Sequence, residues 1–291
     1  MAFQFDEIGF AVHAGNGGAA AKPGGLGAGL NWRIVAATAA GSAHQLSGAP
    51  CQDHCYRATA VGRDGAHYLI TLAADGAGSA LYSEAGSRLA CEVAGQFLRE
   101  YFEHAPRSTR GALKTRLATE CLARVRDALT RAAEEAGATV RDFACTLLGL
   151  VAGPHQALAF QIGDGAVIIR QAGQLAPVFW PDAGEYANMT YFVTDADAAE
   201  HLHVAQFETP QEVALLTDGL QRLALVFATR EVHAPFFEPM FSVLRGRSIG
   251  QCEALDVQLA AFLASPAVSA RTDDDKTLIL ATRLGPEAPC P

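Results

Sequence analysis

Apolar positions along the chain follow two periods. "NWRIVAATAA", beginning near Trp32, reads as a strand, as do "HCYRATAV" and "HYLITLAA". Asp64-Gly65 lies between the last two and predicts a hairpin turn. The period then lengthens. Leu89, Val93, Phe97 and Tyr101 recur every fourth position and predict one apolar helix face. Leu113, Leu117, Cys121, Val125 and Leu129 predict a second helix, with Gly137 as its stop. From residue 142 the texture reverts to short apolar runs between turn residues: "FACTLLGLVA", "QALAFQIG" and "AVIIRQAG", the pattern of antiparallel strands. The stretch from "APVFWPDAG" to "HVAQFE" is less regular and reads as an excursion or flap. "EVALLTDGL" is a further strand, helices are expected around 232–245 and 250–264, and "KTLILAT" is the last strand.

The order is therefore strands, two helices, strands, two helices, strand. It lacks the regular βαβ alternation of a parallel sheet. The expected class is α+β, with antiparallel sheets packed together and helices outside. Residues 1–30 are Gly/Ala-rich and read as a flexible lead-in. Their glycines are not followed by the Gly-Lys-Ser/Thr of a phosphate-binding loop. The expected division is this segment, one domain over 31–285 and a tail over 286–291.

Composition narrows the function classes. Of 291 residues, 50% are hydrophobic, enough for a sizeable core, and the net charge of −9 argues against a nucleic-acid partner. No stretch has the roughly 18 uninterrupted apolar residues of a membrane helix. The N-terminus shows no basic region leading into an apolar one. The seven cysteines are scattered without a CxxC pair. Cys51 and Cys55 form a lone CxxxC, weak support for zinc. Reduced thiols in a cytoplasmic protein are expected.

The candidate chemistry lies in the acidic residues. Asp75-Gly76 follows "LITLAA", Asp164-Gly165 follows "LAFQI", and Asp218-Gly219 follows "VALLT". Asp273, Asp274 and Asp275 directly precede the last strand, and Asp53 in "PCQDH" directly precedes another. Asp-Gly is by itself a turn signal. Yet Asp75 and Asp218 are each followed by helix or loop, not by a returning strand. A triple Asp before an apolar strand repels itself unless solvated or neutralised. Carboxylates gathered at strand ends suit hard cations such as Mg²⁺ and Mn²⁺. A following Gly lets the backbone approach the ion.

The ordered set "CQD…LAADGAGSA…CTLLGLVA…QIGDGAV…ALLTDGL…DDDKTLIL" resembles the metal-dependent Ser/Thr protein phosphatases of type 2C, in particular a bacterial branch with Gln-Asp in place of Glu-Asp. "GEYANMTYFVT" resembles a segment of the same branch. The resemblance runs from about Gly41 to Thr282. It implies a central antiparallel β-sandwich flanked by pairs of α-helices, four layers α-β-β-α, and two divalent cations, Mn²⁺ or Mg²⁺, at one end of the sandwich. Asp75 would bridge both ions, with the Gly76 carbonyl on the second. Asp218 and Asp274 would complete the first and Asp53 would act at the second. Asp164 would help hold a third. A hydroxide bridging the ions would hydrolyse phosphoserine or phosphothreonine in proteins phosphorylated by a Ser/Thr kinase.

The chain departs from the pattern in three places. Gln52 stands where a Glu is usual, and Ala77 where some members carry a His. The phosphate-binding Arg is missing, and His44 is the nearest candidate for its catalytic role. Gln52 and Ala77 favour one rival, a catalytically weak or inactive phosphatase-like module for regulation or binding; a separate rival is a metal hydrolase of small phosphoesters. His201 and His203 form "HLH", a pair without a third ligand. Ser83 with Glu84 reads as a helix start, and Trp32 and Trp180 as packing residues.

Overall fold

The computed structural model describes residues 32–63, 65–104, 115–181, 190–247, 250–251 and 253–283. In chain order the elements are β1 (Trp32–Ala39), α1 (Ser42–Ser47), β2 (Asp53–Val61), β3 (His67–Asp75), α2 (Ser83–His104) and α3 (Thr115–Ala136). A 3₁₀ turn (Val140–Phe143) leads to β4 (Leu147–Ala152), β5 (Gln156–Ile162), β6 (Ala166–Gln171), β7 (Gln174–Pro177), β8 (His203–Glu208) and β9 (Glu212–Leu216). A second 3₁₀ turn (Asp218–Leu220) precedes α4 (Gln221–Ala224), β10 (Leu225–Val226), β11 (Glu231–Val232), α5 (Ala234–Arg245), β12 (Gly250–Gln251), α6 (Glu253–Leu263), α7 (Pro266–Ser269) and β13 (Lys276–Arg283).

Two sheets face each other, one ordered β12-β1-β13-β9-β6-β7 and the other β2-β3-β4-β5-β8. All neighbours are antiparallel except the short β1–β12 pair. Between the sheets lie Trp32, Ile34, Leu69, Leu148, Leu150, Val167, Leu215 and Ile279. A second apolar layer joins the five-stranded sheet to α2 and α3, and a third joins the six-stranded sheet to α5 and α6. This is the expected α+β sandwich in four layers. Central strands are buried on both faces, which explains why "LITLAA" is continuously apolar instead of alternating.

The sequence pattern needs two adjustments. On α2, the deepest face is Ala90, Ala94, Leu98 and Phe102, whereas Leu89, Val93 and Tyr101 are only half-buried at its edge. Small side chains let the helix approach closely, and an apolar-repeat search favours large residues. In the supposed excursion, β7 pairs with β6, and β8 becomes the edge strand beside β5. An edge strand with one half-wet face carries too weak an apolar signal to stand out. Gly137, at φ 64°, ends α3 as expected. The β2–β3 hairpin runs from Asp53↔Asp75 to Val61↔His67, though Asp64 itself lies outside the described residues, as do Leu113, residues 1–30, residues 184–189 of the "GEYANMTYFVT" segment and the tail over 286–291.

Arg57 donates two hydrogen bonds of 2.5 Å to Asp256, whose carboxylate also accepts the Ala36 N–H. That pair ties α6 to both sheets. The five described cysteines are free, and among the described residues no helix is long and apolar enough to cross a membrane.

The tight seat of α2 gives a stability prediction. A Cβ at Gly86 would sit 2.3 Å from the Phe143 carbonyl oxygen, a backbone atom with little room to move. Gly86→Ala therefore lowers stability by roughly 1–3 kcal/mol, despite a helix-propensity gain of about 1 kcal/mol. Urea denaturation checks this, and a stabilised variant would contradict it.

Candidate metal centre

The hairpin register brings the first two carboxylates together. Asp53 opens β2, Asp75 closes β3, and the two are cross-strand partners at the same end of the sheet. Asp218 follows β9, and Asp274 precedes β13. Leu216 and Leu278 pair directly, so these residues leave the six-stranded sheet side by side. Asp164 lies between β5 and β6, and Ala166 pairs with Leu216. Five acidic residues separated by up to 221 positions thus meet at one rim of the sandwich.

Threonines adjacent in sequence or space hold them there. The Thr217 hydroxyl donates to Asp53 Oδ2 at 2.6 Å and accepts the Thr277 N–H at 2.9 Å, linking the two sheets. The Thr146 hydroxyl accepts the Asp75 N–H at 2.9 Å. Thr190 donates to Asp164 Oδ2 at 2.8 Å. Backbone approach is close. A Cβ at Gly219 would lie 1.9 Å from the Asp275 carbonyl oxygen, and one at Gly76 would lie 2.6 Å from that of Ser83. The Gly76 N–H donates to the Gln52 carbonyl. The bridge between Gly76 and Cys145 uses the Asp75 carbonyl and the Ala77 N–H, and so bypasses the Gly76 carbonyl.

The electrostatics are costly. Burial is the first cause that raises Asp53, Asp75, Asp164 and Asp218. It lifts Asp53 to about 7, against hydrogen bonds from the threonines that pull the other way. Asp75 is pushed well up by burial, then by the charges of Asp53, Asp218 and Asp274. Asp218 is lifted to about 6 by burial and by Asp164 and Asp274. Asp164 is raised by burial and, last, by Asp274. The same surroundings hold the Cys145 and Cys51 thiols far above their usual range, so neither is a thiolate nucleophile.

Asp274 and Asp275 differ sharply. The Asp275 carboxylate is already satisfied, accepting the N–H groups of Gly41 at 2.6 Å and Gln52 at 2.5 Å and the His44 Nδ1 hydrogen at 2.9 Å. Its own N–H donates to Asp274 Oδ1 at 2.8 Å. Asp275 is a structural clamp, which leaves Asp274 as the acid of the pair available to a cation. Beneath them the fully buried Lys276 donates from Nζ to the Asp274 carbonyl at 2.9 Å.

The donor set fits hard divalent cations. Asp53 Oδ1 and Asp218 Oδ1 are buried acceptors to which no N–H or hydroxyl of the described residues donates. Such orphaned oxygens are expensive unless a cation or water meets them. Among the described residues no three Asp, Glu, His or Cys side chains form a ready-made cage. The arrangement is an acidic rim that a cation would draw together. Beside it, next to Ala77, opens a cavity of about 520 Å³ lined also by Ser79, Arg141, Thr190, Tyr191 and Asp195. His201 and His203 lie elsewhere: His201 stacks on Tyr191 and meets Asp197, and His203 begins β8.

Sequence reasoning did not find Thr146, Thr217, Thr277 or Lys276. Three of these had a faint signal, since Thr217 directly precedes Asp218 and Lys276-Thr277 directly follow Asp275.

Comparisons with known proteins bear on the family and the fold. The family model described as Protein phosphatase 2C matches residues 40–264. The chain is 41% identical over 253 residues to "Serine/threonine-protein phosphatase 3" of Escherichia coli (strain K12), covering 87% of this chain and 98% of the relative. Solved structures share the fold at lower identity. Serine/threonine phosphatase Stp1 from Staphylococcus aureus has a TM-score of 0.55 at 15% identity, covering 92% of this chain and 100% of that one. The catalytic domain of serine threonine protein phosphatase PstP in complex with 2 manganese ions has a TM-score of 0.53 at 16% identity, covering 88% and 100%.

The raised acids set a pH dependence. In the folded, metal-free protein Asp53 and Asp218 hold protons up to about 7 and about 6, whereas an unfolded Asp releases its proton near about 4. Across that window the folded state binds more protons, so stability falls as pH rises. In EDTA the melting temperature contributed by this site therefore declines from about pH 4 to pH 7. Asp218→Asn removes a buried charge and raises the melting temperature in EDTA at pH 8, at roughly 2–4 °C per kcal/mol recovered. A destabilised Asn variant in EDTA would contradict this.

Proposed function

Since the chain belongs to the protein phosphatase 2C family, we propose that it is a metal-dependent Ser/Thr protein phosphatase, acting on proteins phosphorylated by a Ser/Thr kinase. The observation that carries this reading is the pair of orphaned buried oxygens on Asp53 and Asp218, beside Asp75, whose proton affinity burial and the charges of Asp53, Asp218 and Asp274 raise. Asp53, Asp75, Asp218 and Asp274 would hold two divalent cations, Mn²⁺ or Mg²⁺, with the Gly76 carbonyl as a further ligand. Bound there, the cations supply charge neutralisation for the phosphate and acidify a water for attack. The chain's own residues fix the ligands. Thr217 sets the Asp53 rotamer, Thr146 fixes the backbone at Asp75, and Gly76 and Gly219 admit close backbone packing.

The departures weigh less than the cluster. A neutral Gln52 side chain weakens one ligand position, but the Gln52 backbone is pinned by Asp275, Gly76 and Ser87. A binding module without catalysis gives no reason to keep unsatisfied carboxylates buried at this cost. Phosphoproteins are favoured over small phosphoesters by the open cavity beside Ala77, which has room for residues flanking the phosphorylated one.

Hydrolysis of a phosphothreonine peptide and of 4-nitrophenyl phosphate with Mn²⁺ tests the reading. Wild type is active and loses activity in EDTA. Asp75→Ala and Asp218→Ala each lose at least about 10²–10³-fold, the scale set by removing one electrostatic element of a catalytic site. Equal rates in wild type and both variants would sink the assignment. Faster turnover of a nucleotide panel than of the peptide would favour the small-phosphoester reading.

A further inference from the structure

Hydrolysis of a phosphoserine or phosphothreonine expels an alkoxide-like oxygen, which needs a proton as it departs. Ala77, directly after Gly76, offers none. Cys51 and Cys145 hold their protons too tightly to serve. His54 follows Asp53 in β2, but strand alternation turns it to the opposite face, among Glu92, Arg88 and Glu84.

His44 is placed differently. Its Nδ1 lies 2.9 Å from Asp275 Oδ2, and the Asp275 side chain is 1% exposed. The same carboxylate accepts two backbone N–H groups, from Gly41 and Gln52, which act only as donors. Asp275 is therefore an acceptor throughout, and the hydrogen on the His44 edge belongs to Nδ1. Nε2, across the ring, points away from the buried carboxylate, and the His44 side chain is 21% exposed. The clamp also fixes where the ring sits. Asp275 bonds the N–H of the residue before Asp53 and donates its own N–H to Asp274. Its charge reaches Asp53 and Cys51. The imidazole is thus joined through Asp275 to the backbone of the residue before Asp53 and to the side chain of Asp274.

We propose that His44 is the general acid of the phosphatase reaction and that Asp275 is its positioning residue, a carboxylate–imidazole pair carried on α1 and the loop before β13. This rests on the phosphatase reading above and goes beyond the phosphate-binding place expected for His44. In the step, water supplies the oxygen that bonds to phosphorus, keeps one hydrogen on the product phosphate and releases the other as a proton to solvent. The phosphorus–oxygen bond to the Ser or Thr breaks, and its electron pair stays on the departing oxygen. That oxygen takes the proton from Nε2 of a ring protonated at both nitrogens. The ring is left neutral, with Nδ1–H still on Asp275, and regains a proton from water.

A comparison of leaving groups tests this. 4-Nitrophenolate departs without a proton, and a threonine oxygen does not. His44→Ala, a partly exposed position on a short helix, lowers kcat on a phosphothreonine peptide by roughly 10²-fold while 4-nitrophenyl phosphate turnover stays within about a factor of three. The Mn²⁺ concentration for half-maximal activity is unchanged. Asp275→Asn turns an amide NH₂ toward the same donors and releases the ring; because the clamp also spaces the rim, both rates fall, the phosphothreonine rate by the larger factor, with circular dichroism confirming the fold. Equal losses on both substrates in His44→Ala, a rise in KM alone, or no loss would overturn the proposal. Wild-type protein that hydrolyses neither substrate would overturn the phosphatase reading itself and this assignment with it.

Discussion

The burial of neighbouring carboxylates is the constraint around which this rim is built. Burial comes first in disfavouring ionisation of Asp53, Asp75 and Asp218, and neighbouring charges add to it, those of Asp53, Asp218 and Asp274 at Asp75 and those of Asp164 and Asp274 at Asp218. A fold selected for stability alone would replace them. The surrounding structure instead restrains them, with Thr217 and Thr146 fixing Asp53 and the Asp75 backbone, and Lys276 and the Asp275 N–H fixing Asp274. The site is a strained acceptor set whose strain a divalent cation would relieve.

Asp275 is the counterpart that needs no cation. Three N–H donors converge on it, from Gly41, Gln52 and His44. It joins the loop after β1, the start of β2 and the start of β13, elements that belong to both sheets. One carboxylate thereby sets the spacing of the rim while its neighbour, Asp274, stays available. Two adjacent identical residues have distinct jobs because one side chain turns into a nest of N–H groups and the other does not.

Much of this was legible in the sequence. The run "LITLAA" ending in Asp75, its echo at Asp218 and the acidic triplet before "KTLILAT" located the rim, since strand ends and their Asp-Gly exits are local signals. The helices α5 and α6 and the antiparallel order were equally local. The rest was not. The Asp275–Gly41 bond spans 234 positions and the Thr217–Asp53 bond spans 164, and no spacing rule links such residues. The deep face of α2 was hidden because glycine and alanine pack it, and β8 because an edge strand shows only half its face to the core. His44 was visible as the nearest candidate for the missing Arg, but its partner Asp275, 231 positions away, was not.

The central claim is that the rim is a two-cation site that exchanges protons for metal. Calorimetric titration of Mn²⁺ into the metal-free protein near pH 6.5, repeated in buffers of different ionisation enthalpy, tests it most directly. The account predicts two cations per chain with net proton release, because acids that hold protons near neutrality must give them up to bind metal. Binding of fewer than two cations, or binding without proton release, would contradict it.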